Sequence, residues 1–248
     1  SADIEDCHSQ IEVSIKENSD LGKQMIYPER ISKNELLELP LLQFSGKIHL
    51  VNDRIEMEKA VELIQEEALL GFDTETRPSF KRGENHPVAL LQLASETDAF
   101  LFQLRDLGLP DPLKELFEDE SVLKIGVAIH DDIKALQQKS EFHPNGFVDL
   151  ADIARRFGII TTGLRNLTGI VLKSRISKRY QLSNWNRKIL DEHQQLYAAT
   201  DAWVCREIYL QMMESDLEGM TALDQVDTES LDGTSSEETQ KEELRNAI

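Results

Sequence analysis

The sequence predicts an α/β fold, in which a mixed sheet is flanked by helices in one domain of about residues 27–215. Short apolar runs of strand length alternate along the chain with segments whose apolar residues recur at helical spacing. Some of the strand-like runs are continuously apolar, which is typical of interior strands. Two others are joined by a short polar stretch, which indicates an antiparallel hairpin.

The first part of this domain contains a strand and a helix. Residues 31–44 are expected to pack on the core before a strand over residues 48–51. Asn52 or Asp53 is expected to cap the helix that follows, and Glu56 stands three residues after Asp53, as in a capping box. Helical spacing predicts which residues of this helix face the core: Ile55, Val61, Ile64 and Ala68.

The second strand runs from the apolar residues 69–72 into the acidic triplet Asp73-Thr74-Glu75. Later residues, 151–213, are expected to be mostly helical and to include a helix from about Glu192 to Met213. The elements expected between these parts are a turn-rich loop (77–87), a hairpin (88–94 and 99–104), a helix (112–117), a strand (122–127), a helix (130–138) and a brief strand (146–150).

The composition excludes several classes of protein. The chain has 248 residues, of which 40% are apolar, enough for a sizeable core. No run approaches the roughly 20 apolar residues of a membrane span, and the first residues are acidic, unlike a signal peptide. Its two cysteines make neither a disulfide framework nor a zinc site. We therefore expect a cytoplasmic protein, or a nuclear one if the source is eukaryotic.

The net charge of −19 argues against a nucleic-acid partner, but much of that charge lies near the two ends of the chain. Residues 214–248 carry 11 acids and 2 bases, and residues 1–20 carry 6 acids and 1 base. Residues 1–26 are expected to form a flexible acidic leader and residues 216–248 a disordered acidic tail. Between Asp152 and Asp191 there are nine bases and no acid. This basic segment fits either a phosphate-facing surface or a solvated face that balances an acidic protein.

The triplet Asp73-Thr74-Glu75 is the first candidate for chemistry. Asp-x-Glu occurs four times in the chain, but only this copy follows an apolar run. Residues i and i+2 of a strand share a face, so Asp73 and Glu75 project together. Two carboxylates at a buried strand end repel each other, and a divalent cation would compensate their charge. The alternatives are solvated charges at a strand end, or carboxylates paired with arginines.

Two other segments add carboxylates and a phenol. Asp132 follows the predicted strand 122–127 and is expected to be a ligand, whereas its neighbour Asp131 is expected to cap the next helix. Tyr197 and Asp201 lie four residues apart in a predicted helix and therefore share a face. A phenol stays protonated at neutral pH, so Tyr197 is suited to orient a water rather than deprotonate it. The alternative is a core tyrosine beside a surface aspartate.

The combined ligand set consists of hard oxygen donors, which suit Mg²⁺ or Mn²⁺ rather than zinc. Two such ions about 3.5–4 Å apart can clamp the attacking and leaving oxygens of a phosphoryl transfer. The predicted reaction is hydrolysis of a phosphodiester, and the predicted metal ligands are Asp73, Glu75, Asp132 and Asp201.

These motifs resemble those of the DEDD superfamily of 3′-5′ exonucleases, in its tyrosine-bearing branch. They are similar to the exonuclease domain of the Werner syndrome protein and to ribonuclease D. Leu196 stands five residues before Asp201, where the histidine branch has histidine, and this excludes that branch. The resemblance spans about residues 47–213 and rests on residues 71–75, 88–93, 126–132, 182–185 and 195–201.

The resemblance implies a ribonuclease-H-like fold and release of nucleoside monophosphates from a 3′ end of DNA or RNA, single-stranded or recessed. It implies that four carboxylates hold two divalent cations and that Tyr197 positions the attacking water. Trp185 is expected either to stack on a base or to be a buried anchor of its loop. The other residues expected near the terminal nucleotide are Thr74, Arg77, Lys81 and Arg82. The alternative functions are a catalytically silent nucleic-acid-binding module and a hydrolase of short oligonucleotides.

Overall fold

The computed structural model describes residues 26–79 and 86–232, and the side chains of these residues as far as residue 216. The chain divides into two compact units, Ser1–Tyr209 and Leu210–Ile248. The predicted leader, residues 1–26, lies outside the described residues except for its last position. The domain boundaries drawn at residues 27 and 215 stay predictions.

A mixed sheet forms the centre of the first unit, and within the described residues it has six strands in the order β1-β4-β3-β2-β5-β6. Strand β3 runs antiparallel to both of its neighbours, β2 and β4, whereas β1, β5 and β6 each run parallel to a neighbour. This arrangement confirms the predicted mixed sheet and its hairpin. The strands are β1 (Lys47–Val51), β2 (Leu69–Thr76), β3 (Val88–Ala94), β4 (Asp98–Gln103), β5 (Leu123–Gly126) and β6 (Phe147–Asp149).

Helices flank this sheet, as predicted. None of those within the described residues is both long enough and apolar enough to cross a membrane. They are α1 (Lys33–Glu38), α2 (Arg54–Ile64), α3 (Leu104–Leu107), α4 (Asp111–Glu118), α5 (His130–Gln137), α6 (Leu150–Arg156), α7 (Leu164–Val171) and α8 (Glu192–Asp232).

Strand β2 passes from the core into a polar region. Its first four residues are buried and the next three, 73–75, are half-buried. The ring of Phe72 meets those of Phe117 and Phe147 edge-on, with centroids 6.2 and 5.3 Å away. Because side chains alternate along a strand, Asp73 and Glu75 project from the opposite face. That face is the one covered by the first turns of α8, whose small residues pack on β3 and β4: Ala198, Ala199 and Ala202.

The cap of α2 is a shifted form of the predicted capping box. Asp53 is the N-cap residue, and its Oδ1 accepts a hydrogen bond from the backbone N–H of Glu56 at 2.9 Å. The carboxylate of Glu56 reaches back to the N–H of Asn52 at 3.1 Å, one residue before the cap. Both predicted residues, Asn52 and Asp53, therefore take part in capping the N-terminus of the helix.

The buried face of α2 differs from the predicted one. Met57, Ala60 and Ile64 are the buried residues of this helix. Ile55 is 65% exposed, and Ala68 lies beyond the last helical residue. The predictions for these two residues were wrong, because the face that meets the core is centred on Met57, Ala60 and Ile64 and leaves Ile55 on the solvent side.

The prediction that residues 151–213 are mostly helical is wrong for residues 172–191. This segment is irregular and is held by contacts with distant parts of the chain. Arg175 donates its N–H to Pro40 O at 2.9 Å and accepts a hydrogen bond from Leu42 N–H at 2.8 Å. Its apolar residues act as buried anchors without any helical spacing: Ile176, Trp185 and Leu190.

Helix α8 begins at Glu192, as predicted, but continues to Asp232 instead of ending at Met213. The prediction of a disordered tail therefore does not hold for residues 216–232, which are helical. The remainder of that tail, residues 233–248, lies outside the described residues.

Candidate active site

Strand β2 and helix α8 bring three carboxylates together. One oxygen each from Asp73, Glu75 and Asp201 lie within 4.8 Å of one another. Asp201 is buried, and the other two side chains are half-buried. The approach of strand and helix depends on Gly71, because a Cβ at this position would lie 1.9 Å from the carbonyl oxygen of Ala202. A residue without a side chain is therefore needed where β2 passes under α8.

The three carboxyl groups lie in an environment that disfavours their negative charge. Burial, followed by the charges of Asp201 and Asp132, raises the pKa of Asp73 well above its usual range. Burial, followed by the charge of Asp73, raises the pKa of Glu75 to about 10. Burial raises the pKa of Asp201 to about 7, although a hydrogen bond from Tyr197 opposes this. Hard oxygen donors crowded in this way fit a divalent cation, which would replace the protons that they otherwise retain.

Asp132, the fourth predicted ligand, lies beside this group but outside the set of three. It belongs to the first turn of α5, and its carboxylate accepts a hydrogen bond from the hydroxyl of Thr74. Burial raises the pKa of Asp132, and the hydrogen bond from Thr74 opposes the shift. The charge of Asp132 in turn contributes to the raised pKa of Asp73. Thr74, predicted to touch the nucleotide, thus holds a carboxylate at the edge of the site.

The neighbouring acid, Asp131, does not cap α5 as predicted. The helix begins at His130, so the N-cap residue is Ile129, which makes no side-chain capping bond. Asp131 is the second residue of the helix, and its side chain is 95% exposed and 4.0 Å from Lys134 Nζ. A carboxylate in this position still favours the helix N-terminus electrostatically. Asp131 and Asp132 therefore differ sharply in environment although they are adjacent in the chain.

Tyr197 completes the site, one helical turn before Asp201. Its hydroxyl is hydrogen-bonded to the carboxylate of Asp201. Burial, followed by the charge of Asp201, raises the pKa of Tyr197, so the phenol stays protonated throughout the physiological range. Its ring is half-buried, with its centroid 5.8 Å from that of Trp185. Tyr197 and Asp201 therefore share one locus, as their spacing of four residues predicted.

Trp185 is not available to stack on a base. It is 1% exposed and belongs to a buried cluster with Leu90, Leu101 and Leu190. The prediction of base stacking is wrong because apolar side chains surround the indole, and the alternative, a buried anchor of its loop, is confirmed. Trp185 supports the ring of Tyr197 instead.

The remaining predicted nucleotide contacts follow β2. Arg77 is exposed just after the end of the strand. Lys81 and Arg82 lie outside the described residues. Cys205 is buried on α8, where its Sγ donates to the carbonyl oxygen of Asp201 at 3.3 Å. Burial raises the pKa of the Cys205 thiol well above its usual range, so the thiol is not an available nucleophile.

Three residues near the site were not singled out by the sequence. The charge of Arg165, in α7, lowers the pKa of Asp201, and its Nε is buried without a hydrogen-bond partner among the described residues. The ring centroid of Tyr180 lies 6.3 Å from that of Tyr197 and 6.1 Å from that of His193. Arg165 was noticed only as one of nine bases, and no spacing rule indicates which of them approaches the site.

Comparison with known proteins gives a consistent result. Residues 48–216 match the model of a 3′-5′ exonuclease family, DNA_pol_A_exo1. The chain is 33% identical over 181 residues to the bifunctional 3′-5′ exonuclease/ATP-dependent helicase WRN of Mus musculus. That alignment covers 69% of this chain and 13% of the mouse protein, so the chain spans only a small part of this relative's length.

Solved structures of low sequence identity share the fold. The EXO domain of Aedes aegypti Nibbler superposes with a TM-score of 0.63 at 24% identity, over 70% of this chain and 89% of that one. The complex of Trypanosoma brucei RNase D with RNA U12 superposes with a TM-score of 0.56 at 19% identity, over 72% of this chain and 63% of that one. The predicted ribonuclease-H-like architecture is therefore confirmed.

Proposed function

The chain belongs to the 3′-5′ exonuclease family, and we propose that it is a metal-dependent exonuclease that releases nucleoside monophosphates from the 3′ end of a nucleic-acid strand. The observation that carries this proposal is the meeting of Asp73, Glu75 and Asp201 within 4.8 Å, with the hydroxyl of Tyr197 on Asp201. Such a group of acids is suited to metal-assisted phosphodiester hydrolysis.

The residues that would hold the metal are these three carboxylates, with Asp132 as the fourth ligand. Their oxygen donors favour Mg²⁺ or Mn²⁺, and the family's use of divalent metals accords with a pair of such ions. When bound, divalent cations would lower the pKa of water and neutralise charge on the scissile phosphate. Thr74 contributes by keeping the carboxylate of Asp132 at the edge of the site.

The protein groups then have distinct tasks. Tyr197 retains its proton, so its role is to orient the attacking water by hydrogen bonding and not to act as a base. The guanidinium of Arg165, whose charge lowers the pKa of Asp201, supplies positive charge beside the carboxylates that would face the scissile phosphate. Trp185 and Cys205 are both buried, and their packing holds the ring of Tyr197 and the backbone of α8 in place.

The proposed substrate is a strand of DNA or RNA with a free 3′ end, single-stranded or recessed. A related fold in Trypanosoma brucei RNase D was crystallised with RNA U12, which supports a nucleic-acid partner. The segment between Asp152 and Asp191, with nine bases and no acid, supplies cations on the same unit as the carboxylates. We propose the cytoplasm or the nucleus as the site of action.

The decisive experiment follows release of nucleotides from 5′-labelled DNA and RNA of matched sequence in Mg²⁺, in Mn²⁺ and in EDTA. We expect stepwise shortening from the 3′ end in either metal and none in EDTA. Asp132→Ala and Asp131→Ala form a matched pair, because only Asp132 contacts the site. We expect the first variant to lose activity and the second to keep it.

Three outcomes would contradict the proposal. Equal degradation in EDTA and in metal would remove the metal-assisted mechanism. Carboxylate-dependent binding of Mn²⁺ without any nucleotide release would favour a silent nucleic-acid-binding module. Rapid cleavage of a dinucleotide with no action on a long strand would favour a hydrolase of short oligonucleotides.

A further inference from the structure

A cleft adjoins the carboxylate site at the first turns of α8. It encloses about 340 Å³, part of which is open to solvent, and Tyr197 and Asp201 belong to both the cleft and the site. The residues that line the rest of the cleft include Leu42, Gln43, Ser177, Tyr180 and His193.

Aromatic rings form one side of this cleft. The rings of Tyr180 and His193 are nearly parallel, with an angle of 18° between their planes and 6.1 Å between their centroids. Tyr180 is half-buried and His193 is exposed, and the ring of Tyr197 is 6.3 Å from that of Tyr180. The cleft therefore presents flat π surfaces close to the proposed position of the scissile phosphate.

Cations stand at the same edge. The guanidinium of Arg179 lies over the ring of Tyr180, 5.7 Å from its centroid. Lys178 and Arg179 are both exposed, and neither forms an ion pair within the part of the chain that the structure describes. Aromatic faces interleaved with unpaired cations are the chemistry that binds single-stranded nucleic acid.

The walls of the cleft are fixed before any ligand arrives. The N–H of Phe44 donates to Thr200 Oγ1 at 3.1 Å, which ties the segment containing Leu42 and Gln43 to α8. The N–H of Leu42 donates to Arg175 O at 2.8 Å, which ties the same segment to the chain leading to Ser177. A preformed cleft needs little ordering when a ligand binds.

We propose that this cleft binds a nucleobase of the nucleotide next to the scissile bond, stacked against Tyr180 and His193, with Lys178 and Arg179 on its backbone phosphate. This inference rests on the proposed function. The carboxylates that border the cleft repel an anion, so a phosphate is expected at the exposed cations and the neutral base inside. Stacking accepts any base, so the subsite contributes affinity rather than sequence preference.

The test measures binding of a 5′-labelled single-stranded octanucleotide by fluorescence anisotropy, in the Asp73→Asn background to prevent hydrolysis. Asp73 does not line the cleft. An abasic unit is placed in turn at each of the positions nearest the 3′ end. We expect an abasic unit at one of these positions to weaken binding about tenfold. Tyr180→Ala is expected to weaken binding of the intact strand by the same factor. In that variant, the abasic unit at the same position is expected to have no further effect.

The matched variants separate stacking from folding. Tyr180→Phe keeps the ring and is expected to bind the octanucleotide normally. His193→Ala is expected to weaken binding. His143→Ala changes an exposed histidine of another loop and is expected to have no effect. The abasic strand tests the chain with Tyr180 intact, so it does not depend on the stability of any Tyr180 variant. No binding of the octanucleotide, or equal sensitivity to the abasic unit with and without Tyr180, would overturn the subsite.

A parallel degradation assay with Asp73 intact keeps the two proposals apart. Release of nucleotides without coupling between Tyr180 and the abasic position would overturn the subsite alone. Coupling without any release would overturn the exonuclease and leave the subsite standing as a site of nucleic-acid binding.

Discussion

Tyr197 and Asp201 illustrate how one helical turn can join two different kinds of chemistry. The carboxylate of Asp201 is buried among like charges, whereas the phenol beside it is neutral and remains so because its pKa is raised. A hydrogen bond between them is available only while the phenol keeps its proton. The pair therefore supplies a charge for a cation and a donor for a water from adjacent positions.

Replacement of Tyr197 by phenylalanine tests the role of this donor. The ring would still pack against Trp185, so we expect the fold and Mn²⁺ affinity to be unchanged. Without the hydroxyl, we expect the rate constant of the chemical step to fall about 100-fold. This rate constant is measured as single-turnover release of nucleotide, and the affinity for Mn²⁺ is measured by calorimetry. An unaltered rate in Tyr197→Phe would exclude the hydroxyl from the reaction.

Thr74 provides a second test, because it connects β2 to Asp132 through one hydrogen bond. Thr74→Val keeps the shape of the side chain but removes the donor. We expect about a tenfold loss of activity, with a matching rise in the Mn²⁺ concentration needed for half-maximal rate. Thr76→Val, at the exposed end of the same strand, is the control and is expected to have no effect. If both variants behave alike, Thr74 does not position Asp132.

The sequence predicted the site residues more completely than it predicted their arrangement. Strand periodicity placed Asp73 and Glu75 on one face, and helical spacing placed Tyr197 beside Asp201, because both are local rules. The place of Asp132 at the edge of the site depends on its hydrogen bond with Thr74, which lies 58 positions away in the chain. No local rule describes such a contact. The burial of Trp185 has the same cause, since its neighbours come from β3, β4 and α8.

The crossing of β2 and α8 sets the distance between the carboxylates. At Gly71 the strand lies so close to the backbone of Ala202 that a methyl group would sit 1.9 Å from its carbonyl oxygen. The contacting atom belongs to the helix backbone and cannot rotate away. Strand and helix would have to separate, and Asp73 and Asp201 are located two and one residues from this contact.

Gly71→Ala is therefore expected to lower both stability and activity. We expect the free energy of unfolding to fall by about 1–3 kcal/mol, read from urea denaturation, and nucleotide release to fall more steeply than the loss of folded protein explains. Gly163→Ala is the control, because no atom lies within 4 Å of its added methyl group and its φ of −69° suits alanine. A fully active, equally stable Gly71→Ala protein would contradict the account of the crossing.

Regular elements were predicted well where burial is continuous and poorly where it is not. Strands β3 and β5 are buried at every position, and their largely apolar runs, broken only by Gln92 and Lys124, identified them in the sequence. Residues 172–191 also contain apolar side chains, but these are isolated anchors in an irregular segment that is held by backbone contacts to residues 40 and 42. Those contacts have no counterpart in local sequence, and the segment was mistaken for helix.

The chain as a whole is strongly acidic, and this affects how it meets a phosphate backbone. Much of the net charge of −19 lies in residues 1–20 and 214–248, outside the sequence that forms the sheet. At about 0.1 M salt, exposed charges are screened over roughly 10 Å. Nearby cations therefore govern contact with nucleic acid more than the total charge does. Long-range repulsion is expected to slow association most at low ionic strength.

The same acidity gives the metal-free protein an unusual pH dependence of stability. Unfolded Asp and Glu titrate near pH values of about 3.9 and 4.3. In the folded chain the pKa is raised to about 7 for Asp201 and to about 10 for Glu75. The folded state thus binds more protons than the unfolded state between these limits, so the free energy of unfolding falls as the pH rises. The stabilisation that each carboxyl group adds to the folded state is fully present below its pKa in the unfolded chain. It is lost as the pH rises through its pKa in the folded chain.

A divalent cation should reverse this trend, because it binds the deprotonated carboxylates of the folded state and takes the place of the protons. We expect the melting temperature in EDTA to decrease from about pH 5 to about pH 8, and the stabilisation by Mn²⁺ to grow over the same interval. Asp201→Asn removes one titrating group and one like charge, so its curve in EDTA is expected to be flatter and its gain from Mn²⁺ smaller. Asp131→Asn changes an acid that is 95% exposed and lies outside the group of three carboxyls, so this control is expected to follow the unmodified protein closely. Stability in EDTA that rises with pH would mean that the three carboxylates are not held together as an uncompensated group.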